Sequence, residues 1–181
     1  IALNHAFLNG YTDFVKTTLE IFPHLKGQVY SAYYQAIERN NTELLDRLYD
    51  ELDLKFDSVI ALQIAYGLHA IQYRTDAAFN WLMDKPQIAP ELKKALQFLN
   101  EIIKGNLTYL STHLQSLAIN WREVPDEVCF KISTMLLKKN QSQIIAHLGL
   151  FEFNPAFHSY VCHSTGEKNT LIDAIFAFKD L

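Results

Sequence analysis

A short phrase recurs along this chain wherever one helical stretch gives way to the next. A small residue is followed by three others, a turn residue, and then an apolar pair opening a new helix. The first copy runs Ala6, Gly10, Phe14-Val15, Leu19 and the second Ala36, Asn40, Leu44-Leu45, Leu48. Weaker copies centre on Arg74, Gly105 and Asn140, so successive turns lie 30, 34, 31 and 35 residues apart. Self-similarity at this period is the mark of helix hairpins that cannot bury their apolar sides alone and do so against their neighbours. The expectation is an all-α fold, an α-solenoid of about five antiparallel helix pairs.

Composition agrees with long helices. The 181 residues include only 6 Gly and 5 Pro, too few turn-formers for a many-stranded sandwich, while 49% are hydrophobic, which excludes disorder as the main state. A formal charge of -4 argues against a nucleic-acid partner, for which a basic field is the first requirement. The charge is uneven: residues up to 90 carry 7 basic and 11 acidic side chains, the remainder 9 of each. The two cysteines, Cys129 and Cys162, imply no disulfide framework and point to a reducing, cytoplasmic compartment. No run reaches the roughly 18 apolar residues that would cross a bilayer. The chain opens without Met and ends within a helical pattern, so it reads as a piece of a longer protein with flanking domains.

Local signals place the elements. A first helix over about residues 2–9 closes at Gly10, and Thr12 or Asp13 caps the next, which is expected to bury Phe14, Val15, Leu19 and Ile21. Pro23 breaks it. A helix over about 28–39 carries Tyr30, Tyr33 and Tyr34, and Thr42 begins its partner. Ser58 caps a long helix to Tyr73 that is apolar on most sides and therefore reads as sandwiched between neighbours. Thr75 opens a helix with Ala78, Phe79 and Leu82, and Pro90 stands as the first residue of a helix through Lys104. Pro125-Asp126-Glu127 starts another, its acidic residues suited to the positive end of the dipole. Residues 149–181 read as an irregular aromatic-rich segment with a terminal helix, which separates them from the repeats of 1–148.

These copies resemble the ankyrin repeat, two short antiparallel helices with a small residue in the first and a Gly turn between them. Leu3 to Ala6 through Gly10 to Lys16 is similar to that pattern, as is Asn40 to Leu45; Asn169 to Ala174 resembles the start of a further unit. The family's threonine-proline-leucine-histidine opening is missing from every copy, Asn40, Arg74 and Asn140 replace Gly, and arginine suits a left-handed turn poorly. The resemblance implies protein binding on a concave face by the residues just before each turn. In this chain those are Leu8 and Asn9, Glu38 and Arg39, Gln72 and Tyr73, Ile103 and Lys104, and Lys138 and Lys139. An acidic segment of a partner would suit Lys104, Lys138 and Lys139, although lysines at helix C-termini also complement the dipole without any partner. Delivery into a host cell as a bacterial effector is the biological setting suggested by analogy with such degenerate repeats.

Other constellations carry less. His158, Cys162 and His163 stand close together in the irregular segment, but a fourth zinc ligand is not supplied nearby and adjacent residues need not face one another. Asp50, Glu51, Asp53 and Asp57 lack the glycine and terminal glutamate of a calcium loop. The tyrosines at 30, 33 and 34 form either a binding hot spot or half-buried packing with hydroxyls in water. His5, His69, His113 and His147 read as hydrogen-bonded packing residues. No phosphate loop, serine elbow or paired-carboxylate motif is present. The expectation is therefore a protein-binding module that is not an enzyme and uses no cofactor or metal. The alternatives are a compact helical bundle whose period is accidental, a helical enzyme or accessory domain using His158, Cys162 and His163, and a structural spacer between flanking domains.

Overall fold

The structure, a computed structural model, describes residues 3–55, 60–106 and 118–139. Every regular element among the described residues is helical. The chain divides into two compact units, Ile1–Ile88 and Ala89–Leu181. The boundary expected near residue 148 lies outside the described residues.

In the first unit, α1 (Leu3–Leu8) turns into α2 (Thr12–Ile21). A 3-10 turn at Pro23–Leu25 leads through α3 (Lys26–Val29) into α4 (Ser31–Glu38). The single helix expected over 28–39 is thus two pieces meeting at Tyr30. Next come α5 (Thr42–Asp46), a π-type turn at Arg47–Glu51, α6 (Ile60–Tyr73) and α7 (Asp76–Met83). Three helix hairpins result: α1 with α2, α4 with α5, and α6 with α7. The first helix of each also packs on the first helix of the next, α1 on α4 and α4 on α6, and α5 packs on α7.

The expected turn positions are where the backbone turns left-handed: φ is +87° at Gly10, +51° at Asn40, +55° at Arg74 and +82° at Gly105. The fifth, Asn140, lies outside the described residues. All four turns share one hydrogen-bond pattern. The left-handed residue donates its N–H to the carbonyl three back (Phe7, Ile37, Ile71, Ile102), and the following residue donates to the carbonyl five back (Ala6, Ala36, Ala70, Glu101). This Schellman closure satisfies carbonyls that a helix end would otherwise leave bare. The recurring alanine therefore lies four places before the left-handed residue in three of the four turns, with Glu101 in the fourth, and Ala6, Ala36 and Ala70 are all buried.

Polar ties join neighbouring hairpins at matching positions. Seven residues after their turns, Arg47 and Trp81 both reach back to the preceding hairpin. The Arg47 guanidinium donates to the Thr12 hydroxyl and lies 5.0 Å from the Phe7 ring centroid, and Trp81 Nε1 donates to Asp46 Oδ1 at 2.6 Å. The two asparagines of the second turn divide the capping work: Asn41 Oδ1 accepts from Leu44 N within its own helix (2.9 Å), whereas Asn40 Oδ1 accepts from Ala78 N of the next hairpin (2.8 Å).

Phe7, Val15, Ile37, Leu45, Leu48 and Leu82 are among the side chains buried in this unit. Two expectations are corrected: Phe14 is 59% and Ile21 63% exposed. Both share a helix side with Tyr11, next to the side on which Val15 and Leu19 are buried. The tyrosine stripe is corrected in part, because Tyr33 is fully buried and its hydroxyl donates to the Leu54 carbonyl (2.8 Å) rather than to water. Burial pushes the Tyr33 and Tyr66 phenols well above the ordinary tyrosine range, so both remain neutral donors.

In the second unit, α8 (Pro90–Lys104) packs on α9 (Asp126–Lys138) and on a 3-10 turn at Trp121–Glu123. Leu92, Leu96, Leu99 and Ile102 on α8 and Val128, Ile132 and Leu136 on α9 are buried at helical spacing. Each such side chain contributes about 2 kcal/mol. Glu91, in the first turn of α8, accepts from Lys94 Nζ and from the Asn120 backbone N–H, both at 2.6 Å, and so tethers the segment leading into Trp121.

Candidate partner-binding face

On α4, Tyr34 and Glu38 are one helical turn apart and share a face; on α6, Tyr66, His69 and Tyr73 do the same at spacings of three and four. The packing of α4 on α6 brings the two sets together. His69 Nε2 lies 3.1 Å from Glu38 Oε1. The Tyr34 ring meets the His69 ring edge-on at 4.9 Å between centroids, and the Tyr73 ring centroid lies 4.5 Å from that of His69 on the same row. Tyr34 also meets Tyr66 edge-on at 4.9 Å.

The row grades from core to surface. Tyr66 is wholly buried and donates its hydroxyl to the Tyr30 carbonyl (3.1 Å), His69 is partly covered, and Tyr73 is 49% exposed at the last residue of α6. Tyr73 is thus an aromatic ring whose mounting is fixed on one side and open on the other, the arrangement by which aromatic residues anchor protein contacts at low entropic cost. Arg39 and Gln72 are exposed at the same two helix ends.

Of the residues expected from the sequence, Glu38 and Tyr73 are therefore joined through His69, with Arg39 and Gln72 beside them along the chain. Lys104 and Lys138 are exposed at the last residues of α8 and α9, and Lys139 is partly exposed just beyond, all in the second unit. Leu8 is partly covered, and the side-chain amide of Asn9 donates back to the His5 carbonyl (2.7 Å). His69 and Tyr34 are not among the residues expected just before the turns, although Tyr34 is one of the tyrosines read as either a hot spot or packing. A signal for them was present: the pairs Tyr34/Glu38 and His69/Tyr73 have the same spacing of four and stand 35 residues apart, close to one repeat.

The groups gathered here are a carboxylate, an imidazole and phenol rings. Cys129 is buried, its thiol pushed up to about 12 chiefly by desolvation, and its Sγ faces the Val124 carbonyl at 3.9 Å. Among the described residues no three of His, Cys, Asp or Glu are grouped to hold a metal ion, and no helix is long and apolar enough to cross a membrane. Of the acidic group, Asp50 lies 3.0 Å and Asp53 4.0 Å from Lys55 Nζ and Glu51 pairs with Arg47, while Asp57 lies outside the described residues. His158, Cys162 and His163 lie outside the described residues. Comparison with protein-family models, with curated proteins and with solved structures finds no match to this chain.

Proposed function

We propose that this chain is a protein-interaction module, an ankyrin-like α-solenoid that holds a segment of another protein along the ends of its inner helices. The observation that carries the reading is Tyr73, half exposed and braced against His69, which is itself held by Glu38. Its support from the fold is the matching of turns and inter-hairpin ties across three hairpins of the first unit, where each first helix packs on the first helix of its neighbour. Nearest-neighbour packing of this kind characterises stacked repeats.

Tyr73 and Tyr34 supply apolar contact, while Glu38, Arg39 and Gln72 supply hydrogen bonds around them. In the second unit, Lys104, Lys138 and Lys139 take an acidic stretch of the partner. On this reading the setting is cytoplasmic, or the host cytosol if the chain acts as a delivered effector.

The test is affinity capture from lysate with the parent chain, a Tyr73→Ala/Glu38→Ala variant, and a variant with Lys104, Lys138 and Lys139 changed to Glu. Four of these positions are exposed and Lys139 is partly so, and far-UV circular dichroism checks that the variants keep the fold. A protein retained by the parent and lost from the first variant supports the reading. Retention unaffected by either variant removes these residues from the binding face.

A further inference from the structure

The exposed side of α2 repeats a position that is covered everywhere else in the first unit. Four residues after each turn stand Phe14, Leu44 and Ala78; Leu44 and Ala78 are buried, and Phe14 is not. Seven residues after each turn stand Thr17, Arg47 and Trp81; Arg47 and Trp81 reach back to the preceding hairpin, and Thr17 is exposed. At this side of α7, Asn40 from the preceding turn also accepts the N–H of Ala78. In α5 the equivalent N–H, that of Leu44, is capped by Asn41. The first turn of α2 has no side-chain cap.

At 100° per residue, Tyr11, Phe14, Thr18 and Ile21 fall within one quarter of the α2 surface, adjoining buried Val15 and Leu19. Asp13, Lys16 and Glu20 lie on the opposite side, so no charge interrupts the stripe. A contiguous apolar stripe of this kind marks an interaction surface.

We infer that this side of α2 docks a further antiparallel helix hairpin of the same repeat type. The hairpin covers Phe14, at the position where Leu44 and Ala78 are buried, together with the neighbouring Ile21, and its turn carries a carboxamide acceptor for the Phe14 N–H as Asn40 does for Ala78. The surface continues the packing of hairpin on hairpin already present as α1 on α4 and as α4 on α6 with α5 on α7, which is why a hairpin in the same register is the occupant rather than a lone helix or a membrane. The inference is independent of the Tyr73 face, since the two surfaces share no residue.

The experiment appends a copy of residues 3–32 directly ahead of Leu3, which keeps the 30-residue spacing of the first junction, with Gly10→Asn in the appended copy alone. That substitution supplies the acceptor and marks the copy by mass. Hydroxyl-radical footprinting then reads Tyr11 and Phe14 of the original sequence, with buried Tyr33 as internal reference. Docking lowers their labelling to the Tyr33 level, leaves the appended copy labelled as the parent is, and is abolished by Phe14→Asp in the original copy. An appended hairpin that stays unfolded, or folds and leaves Tyr11 and Phe14 labelled as in the parent, overturns the inference. So does protection that appears in the parent alone as concentration rises, because a second copy of the chain would then be the occupant.

Discussion

Arg74→Gly should stabilise the first unit, although it removes a long side chain and puts glycine beside a helix end. Arg74 holds φ at +55°, a conformation that costs an L-residue about 1–2 kcal/mol and glycine almost nothing. Glycine gives back about 0.5–1 kcal/mol through the greater freedom of the unfolded chain. Because Arg74 is exposed, losing its side chain costs little, and the net gain is about 0.5–1 kcal/mol. Asn40→Gly is the control. Asparagine tolerates the left-handed region better than arginine, so less strain is relieved, and the Asn40 Oδ1 bond to Ala78 N is lost at about 1 kcal/mol. That variant should be destabilised. Urea titration in a Trp121→Phe background reads the first unit through Trp81 alone, these being the two tryptophans of the chain. With a slope of about 2 kcal/mol per molar, Arg74→Gly should raise the midpoint by roughly 0.3–0.5 M at unchanged slope. A midpoint that falls for Arg74→Gly, or rises equally for Asn40→Gly, would refute the assignment of strain to one turn and of inter-hairpin capping to the other.

Three further outcomes are expected. The Lys94 ammonium and the Asn120 N–H beside Glu91 hold its carboxyl below the ordinary range, so its contribution is present above the unfolded-state value of about 4.3 and fades as pH falls through the lower folded value. Glu91→Gln should therefore cost about 0.5 kcal/mol at neutral pH, solvent screening the pair with half-exposed Lys94, with parent and variant converging in acid when melting is followed through Trp121. Tyr33→Phe leaves the Leu54 carbonyl without this donor in a buried site and should cost about 1–2 kcal/mol, read from the same urea titration on Trp81. Cys129, with its thiol pushed up to about 12, should resist alkylation at pH 8 in the native protein and react in urea, as peptide mapping would show; rapid native labelling would contradict its burial.

Much of the local structure was legible because its causes are local. Pro90 and Gly105 bracket α8 through the first residue's fixed φ and the left-handed cap, and four turn positions spaced near one repeat are the four shared Schellman closures. Arg74 was the weakest of them from side-chain preference, yet it takes the same geometry. The two helices it joins close the turn with the Arg74 N–H to Ile71 and the Thr75 N–H to Ala70, and those bonds outweigh a strain of order 1 kcal/mol.

The amino-acid order by itself determined that the described elements are helical, the places where helices stop, and which side chains share a helical face. It did not determine which face meets a neighbour: Phe14 and Leu44 occupy equivalent positions, and only the packing of hairpins buries one and exposes the other. Nor could spacing show that His69 lies against Glu38, 31 residues away, or that Tyr33 closes on Leu54. Periodicity follows from 3.6 residues per turn within one helix. Contact between helices depends on how several of them lie side by side, and that arrangement is a property of the whole packed unit.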